Sequence, residues 1–425
     1  MKELIGRRFV LNSKEVESGD VFVAIRGQRF DGHDFVEEAF QRGAFAAVVE
    51  RPVNAHGKVF LVKSVKDALA ELAAEKIRSY RNRVIGITGS NGKTTTKELL
   101  AQLIKGRSVF KTPGNKNTEY GLPVAIINDY RGEEILILEM AANREGDIAH
   151  LCRIAPPDVA VLLNVGNAHL GTFGGREKIL ETKLEIVRFS KENAVAITLY
   201  DDPVLRERVR TLRSNALFFG EKGGDVVLKD WWYDEGSTIV EYKIFGEFLT
   251  LKLQNFWNKG QLLNLAAAIC VLSAIGERVD VLDLVKLSPV AGRFSVKKVK
   301  GIWLVDDSYN ASPESFRVAL EALKKFPGKK YAVVGAMKEL GEESEKFHRE
   351  LGKLLDELDG VYVFSVEPEA EWIVTAKRIM ESRDPHEIAF DLVKRLSEGD
   401  AVLFKASRVV GVERVLTELE RELEG

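Results

Sequence analysis

The stretch VIGITGSNGKTTTKELL, residues 84–100, constrains the fold more than any other part of the chain. Branched apolar residues lead into a turn containing Gly89 and Gly92, and Lys93 with Thr94, Thr95 and Thr96 opens a helical pattern. A strand ending at Thr88, a glycine turn and a helix starting near Lys93 would gather backbone N–H groups and a helix N-terminus around one point, which is a cradle for a phosphate. Lys93 adds a mobile charge for outer phosphates, and Thr94 a hydroxyl for an accompanying magnesium ion. The strict spacing G-x-x-x-x-G-K-[ST] is not met, because Ile87 stands at the first glycine position. A glycine turn without a ligand is the plainer alternative. The strand before and the helix after favour nucleotide binding by Gly89, Ser90, Asn91, Gly92, Lys93, Thr94 and Thr95.

That loop sits inside a repeating pattern. VIGITG, ILILEM, VAVLLN and AVAITL are short apolar runs of the kind found in strands buried on both faces of a parallel sheet, and helical patterns separate them. A doubly wound sheet follows for the segment 83–289. Within it, residues 225–253 alternate and turn on glycine, which predicts antiparallel strands attached to that core. Upstream, residues 1–82 alternate short strand-like and helical runs and predict a small α/β domain ending at the polar SYRNR. Downstream, KLSPVAGRF marks a boundary near 290, and IWLVDDS, YAVVGA, VYVFS and AVLFKA alternate with helices, predicting another α/β domain of doubly wound type over 290–425.

Composition narrows the partners. A net charge of -2 argues against a nucleic acid or other extended polyanion. With no apolar run near the ~20 residues a membrane span needs, and no apolar signal core at the N-terminus, the expectation is a cytoplasmic protein without stable membrane insertion. Cys152 and Cys270 lie far apart in apolar surroundings, which suggests neither a disulfide framework nor a zinc site.

Other residues point to the same edge of the central sheet. Glu139 ends the strand-like ILILE, where it would face the ligand crevice and could hold magnesium; a solvent-facing glutamate is the alternative. Asn164 and His169 follow the next strand, although a lone histidine is commonly a surface or satisfied residue. Lys183, in REKILETKLEIVRF, lies on or beside the apolar stripe made by Ile179, Leu180, Ile186 and Val187. Either it snorkels to the rim, or it is used internally, where burial favours a neutral, modifiable amine. The Asn115–Thr118 tetrad is a poor match to a guanine-reading motif, because Thr118 replaces the aspartate.

Taken in order, GITGSNGKTTT, TPGNKNTEYGLP, EMAANREGDI, LLNVGNAHLGTFG, ETKLEI, PVAGRF, DDSYNASPES, VVGAMKELGEESEKFH and VLFKASRVVGVERV resemble the Mur ligases over essentially the whole chain. The N-terminal GDVFVAIRGQRFDGHDFVEEAFQRGAFAAVV resembles a UDP-sugar domain of that family. The resemblance implies an ATP-dependent amide ligase working through an acyl phosphate. DDSYNA points to the branch that joins D-Ala-D-Ala to UDP-N-acetylmuramoyl-tripeptide, and an Asp-Asn-Pro-Arg signature for a diamino acid is absent.

Carried over position by position, the resemblance implies that Lys93 contacts the β and γ phosphates. Two Mg2+ ions are implied, one held by Thr94 and Glu139 and the other by His169, with a carbamate on Lys183 as an additional anion. Asn115 and Asn117 would approach the reacting centre, and Asn164 would lie beside the nucleotide. Arg293 and Asp307 would reach ATP from the C-terminal domain, while Tyr309, Asn310, Lys405, Ser407 and Arg408 would lie near the incoming dipeptide. Ser13, Gly27, Asp31, Gly32 and His33 would hold the UDP-sugar. Gly260 and Gln261 replace the family's His-Asn, making Gln261 the candidate adenine contact, and Ala336 and Ala406 stand where aspartate and glycine are common. A monomer acting on small-molecule substrates is expected. A kinase or ATPase switch is the rival reading from another class, separated by its lack of need for an amine acceptor.

Overall fold

Three sheets of four, nine and six strands follow one another along the chain in the computed structural model. It describes every residue except Met1, Ile5, Gln28, Arg29, Asn167, Ala168, His169, Gly174, Val279 and Gly425. The predicted α/β units are present, with parallel sheets and a smaller antiparallel part.

The first sheet runs Phe9–Val10, Val21–Val23, Ala46–Val49 and Lys58–Leu61, all parallel and in chain order. The helix Val65–Arg78, capped by Ser64 accepting from the Asp67 amide, follows it. Its Leu69, Ala73 and Ile77 share a core with Leu122, Ala125 and Ile126 of the helix Gly121–Asp129, so the first unit is bolted to the second by apolar packing.

In the nine-stranded sheet, six strands from Ala216–Gly220 to Val109–Lys111 are parallel. Alternate residues enter different cores. Ile85 and Ile87 pack with Leu99 and Leu265, whereas Val84 joins the core of Leu136 and Leu138. Burial on both faces is why these strands read as unbroken apolar runs. The strand Arg83–Thr88 lies between Ile135–Glu139 and Val159–Leu162. The chain winds outward from it to Val109–Lys111, returns, and then crosses to the other side, so the winding reverses beside Arg83–Thr88 and a crevice opens at its carboxyl end.

The glycine-turned insert forms Val226–Asp234, Ser237–Ile244 and Glu247–Gln254. Val226 and Val227 pair in parallel with Phe219 and Gly220, so these antiparallel strands extend the central sheet. Phe256 packs 4.7 Å from Phe326 and 4.9 Å from Trp303, ring centre to ring centre, tying this side of the central unit to the C-terminal one.

The last sheet is ordered Ser295–Val299, Ile302–Asp306, Ala401–Lys405, Lys330–Val334, Gly360–Phe364 and Arg378–Ser382, parallel except for its first pair. Its two edge strands and the helix Pro385–Arg395 are additions to the elements read from sequence. Both edges are largely half-exposed and polar, SVKKV and RIMES, and so lack the apolar run that marked the inner strands. Among the described residues, no helix is long and apolar enough to cross a membrane.

Candidate active site

A cleft of about 660 Å³ lies at the carboxyl edge of the central sheet, between the central and C-terminal units. The phosphate loop forms its floor. Gly92 caps the helix Lys93–Leu103 with φ of +88°, a backbone conformation that favours glycine, and a Cβ there would also displace the Asn264 side-chain amide. The first amides of that helix have no intrahelical acceptor and face the cleft as donors for an anion. Asn164 shapes the loop from behind. Its Oδ1 accepts the Asn91 N–H at 2.9 Å, its Nδ2 donates to Asn91 O at 3.0 Å, and its carbonyl accepts the Ser90 N–H at 3.1 Å. Ser90 Oγ accepts the Gly166 N–H at 2.9 Å. Asn164 thus lies behind the loop, with its amide engaged by Asn91.

Lys93 curls over the loop and donates to Gly89 O at 2.7 Å. Burial pushes its ammonium below the ordinary lysine range, and the Glu139 carboxylate pulls it partly back. Glu139 is almost wholly buried at its strand end. Thr94 Oγ1 donates to its Oε2 at 3.0 Å and Asn117 Nδ2 donates to its Oε1 at 2.7 Å, while Lys97 Nζ stands 3.6 Å from Oε2. Asn115 and Thr95 line the cleft beside them. A hydroxyl and a carboxylate oxygen in contact suit a hard cation. Among the described residues, no group of three or more His, Cys, Asp or Glu converges. One carboxylate is enough for magnesium when substrate phosphates supply the other oxygens, so the donor set fits a nucleotide-borne ion. His169 lies outside the described residues.

Lys183 is buried on the helix Arg176–Arg188 and is not a wall residue of the cleft. Burial pushes its ammonium well down, and the charge of Lys93 adds to the effect. It makes no hydrogen bond or ion pair with any described residue, which distinguishes it from a snorkelling lysine. Two residues on, Glu185 accepts the amides of Gly146 and Ala149 at 2.8 and 2.9 Å, locking this helix to the start of Asp147–Ile154.

The C-terminal unit supplies the opposite wall. Arg293 Nη2 donates to Thr94 Oγ1 at 3.3 Å, Ser312 Oγ donates to Asn91 Oδ1 at 3.3 Å, and the Gly171 N–H donates to Glu339 O at 3.3 Å, all long hydrogen bonds that cross between the units. The Arg293 guanidinium lies 3.8 Å from the centre of the Tyr309 ring. Asp307 and Lys405 pair at 2.6 Å, and Lys405 also donates to Asn310 O at 3.0 Å. Burial raises the Asp307 carboxyl and lowers the Lys405 ammonium, and their contact opposes both shifts.

The structure refines several expectations here. Lys405 is buried and committed to Asp307, whereas Arg408 on the same wall is exposed. Ser407 Oγ accepts the Lys338 N–H at 2.9 Å and thereby shapes a cleft-lining loop. Gln261 is buried: its Oε1 accepts the Asn258 N–H and its Nε2 donates to Arg293 O, each within 2.9 Å. Its amide therefore supports Arg293 from behind. Ser312, Asn264 and Lys97 escaped the sequence reading. For Lys97 the available signal was its place four residues after Lys93, on the same helix face.

Ser13, Gly27, Asp31, Gly32 and His33 line no part of this cleft. Ser13 Oγ donates to Glu38 Oε2 at 3.4 Å, and the amides of Gly27 and Gly32 donate to Phe30 O and Ile25 O. His33 Nε2 accepts the Glu50 N–H at 2.9 Å, so Nδ1 carries the proton and donates to Asp31 at 2.6 Å. The histidine is thus an internal brace for its loop.

Three family models match the chain: "Mur ligase family, catalytic domain" over residues 9–82, "Mur ligase middle domain" over 87–272 and "Mur ligase, glutamate ligase domain" over 292–408. The chain is 32% identical to UDP-N-acetylmuramoyl-tripeptide--D-alanyl-D-alanine ligase of Bacillus subtilis, covering 96% of this chain and 92% of the relative. It is 34% identical to the protein of that name from Synechocystis, covering 97% and 91%. The crystal structure of MurF ligase from Thermotoga maritima in complex with ADP superimposes with a TM-score of 0.95 at 63% identity, covering 100% of this chain and 99% of that one.

Proposed function

This chain belongs to the Mur ligase family, and from that premise we propose how its residues divide the work of its reaction. The reaction is ATP-dependent joining of D-Ala-D-Ala to UDP-N-acetylmuramoyl-tripeptide, a step of peptidoglycan precursor synthesis. The observation that carries the reading is the single cleft faced by Lys93, Thr94 and Glu139 from one unit and by Arg293, Asp307 and Arg408 from the other.

In the proposed sequence, a terminal carboxylate oxygen of the tripeptide attacks the γ-phosphorus of ATP. The bond to the bridging oxygen breaks and ADP departs, leaving an acyl phosphate. The amine of D-Ala-D-Ala then adds to the acyl carbon, the carbon–oxygen bond to phosphate breaks, and the amine releases a proton. Two unit negative charges 4 Å apart repel by about 4 kcal/mol at an effective dielectric of 20, so the first step needs positive charge placed in advance.

Lys93 and Arg293 supply that charge beside the β and γ phosphates, in the loop of Gly89, Ser90, Asn91 and Gly92, where the amides of Lys93, Thr94 and Thr95 at the helix mouth are the donors left for the anion. Thr94 and Glu139 would hold one magnesium, His169 and a carbamate on Lys183 a second, and bound ions would offset the charge of the phosphates. Asn115 and Asn117 orient the acceptor carboxylate. Lys405 holds Asp307 towards ATP, and Arg408, with Tyr309 and Asn310 nearby, receives the dipeptide carboxylate. The loop of Ser13, Gly27, Asp31, Gly32 and His33 serves the UDP-sugar. The working units are 1–82 for the UDP-sugar, 83–289 for ATP, and 290–425 for closure and the dipeptide, in a cytoplasmic monomer.

Phosphate release tests this, with ATP and magnesium present and each substrate added alone and together. Release coupled to a pentapeptide mass only when both are present is the expected result. Release without an amine acceptor would point to a kinase or ATPase switch.

A further inference from the structure

Lys97 follows Lys93 by one helical turn and points the same way, yet it lies wholly inside the protein. Its ammonium donates to Thr112 O at 2.8 Å and to Gly114 O at 2.9 Å. The Glu139 carboxylate is 3.6 Å away and Glu98 is 3.5 Å away, both beyond good hydrogen-bond length. Glu139 already accepts from Thr94 and Asn117. The direct bonds of Lys97 therefore go to a loop, and its charge faces Glu139 as a neighbour.

That loop is the Thr112–Asn117 segment. The Thr112 N–H donates to Ile137 O at 3.1 Å, and its Oγ1 accepts the Glu139 N–H at 3.0 Å, which ends the strand pairing. At the other end, Asn117 O accepts the Ala141 N–H at 2.9 Å. Between these anchors Pro113 has no N–H, Gly114 has φ of +52°, and the amides of Lys116 and Asn117 bond within the loop, to Pro113 O and Asn115 O. Among the described residues, the hydrogen bond that ties Gly114 to the rest of the central unit comes from Lys97.

We propose that Lys97 is a positioning residue, whose ammonium fixes the loop bearing Asn115 and Asn117 against the helix that opens at the phosphate cradle. One rigid helix then carries Lys93 at its mouth and sets the height of the acceptor loop above it, so nucleotide and carboxylate are held in register by the same element. The consequence for turnover rests on the reading that Asn115 and Asn117 orient the acceptor carboxylate.

The experiment compares the parent with Lys97→Met, following tryptic cleavage at the exposed Lys116 by mass, ADP binding by calorimetry, and turnover. Expected are cleavage at least tenfold faster, ADP affinity within threefold of the parent, and turnover at least thirtyfold lower. Unchanged cleavage would overturn the proposal, because the loop would then stand without Lys97. Faster cleavage with parental turnover would uphold the anchor and sink the role given to Asn115 and Asn117. Should Lys97→Met fail to fold because Glu139 loses its nearby cation, Glu139→Gln and Lys97→Met/Glu139→Gln give the same cleavage and ADP-binding comparison without the buried charge. Equal cleavage in that pair would overturn the proposal equally.

Discussion

On the central side of the cleft, Lys93 rests on loop carbonyls and Lys183 is buried without a partner among the described residues, whereas on the C-terminal side Lys405 is buried against Asp307 at 2.6 Å. Both sides take lysines out of water, but Lys405 has a carboxylate in direct contact, whereas Lys93 feels Glu139 only as a neighbour and Lys183 has no carboxylate partner among the described residues. A buried ammonium is expensive unless paired, so a fold that keeps Lys405 can do so through Asp307 alone, while one that keeps Lys93 and Lys183 must recover the cost elsewhere. Nucleotide phosphates would do this for Lys93, and conversion to an anionic carbamate would do it for Lys183. The central side therefore leaves lysine charge for what it would bind, and the C-terminal wall settles its buried Lys405 internally.

The largest expected effect comes from Lys183. Lys183→Ala should lower turnover by about 10³-fold, with no recovery on adding bicarbonate, since no amine remains to be carbamylated. Activity near that of the parent would erase the difference between the walls. Next is Lys405→Met, which should cost about 3 kcal/mol in denaturant unfolding by leaving Asp307 buried and unpaired. Most of that should return in Lys405→Met/Asp307→Asn. If the double variant were no more stable than the single one, Lys405 would not owe its place to Asp307.

Legibility followed sequence distance. The phosphate loop could be read because strand, turn and helix are contiguous, and Glu139 and Asn164 because each ends an apolar run at the same sheet edge. The pairing of Lys405 with Asp307 could not, since 98 positions separate them and both types are ordinary at strand ends. Gln261 was named because Gly260 and Gln261 stand where the family has His-Asn; what sequence could not show is that its amide also completes a capping box with Asn258 and holds Arg293. The edge strand Ser295–Val299 was missed for want of an apolar run.

A smaller effect separates Arg408 from Lys405 on the C-terminal wall. Arg408→Ala should raise KM for D-Ala-D-Ala about tenfold and leave KM for ATP unchanged, as expected for loss of one charge-assisted contact. An equal rise in both would mean that Arg408 acts through the wall's shape.

The smallest lies outside the cleft and shows what pairing is worth near water. Asp31 is held at about 2, first by the His33 N–H and then by the His33 ring and Arg51. A depressed carboxyl contributes stability above its unfolded value near 4, and that contribution fades as pH falls from about 4 to 2. Asp31→Asn should accordingly cost about 1 kcal/mol at neutral pH, after allowing for solvent screening, and nothing near pH 2. A cost independent of pH would place the effect in loop geometry.

The contrast between the walls is tested most directly by 13C NMR of the protein equilibrated with 13C-bicarbonate. A carbamate resonance should appear in the parent and in Lys405→Met, and be absent from Lys183→Ala. No carbamate signal in the parent, or one that persists in Lys183→Ala, would contradict the account.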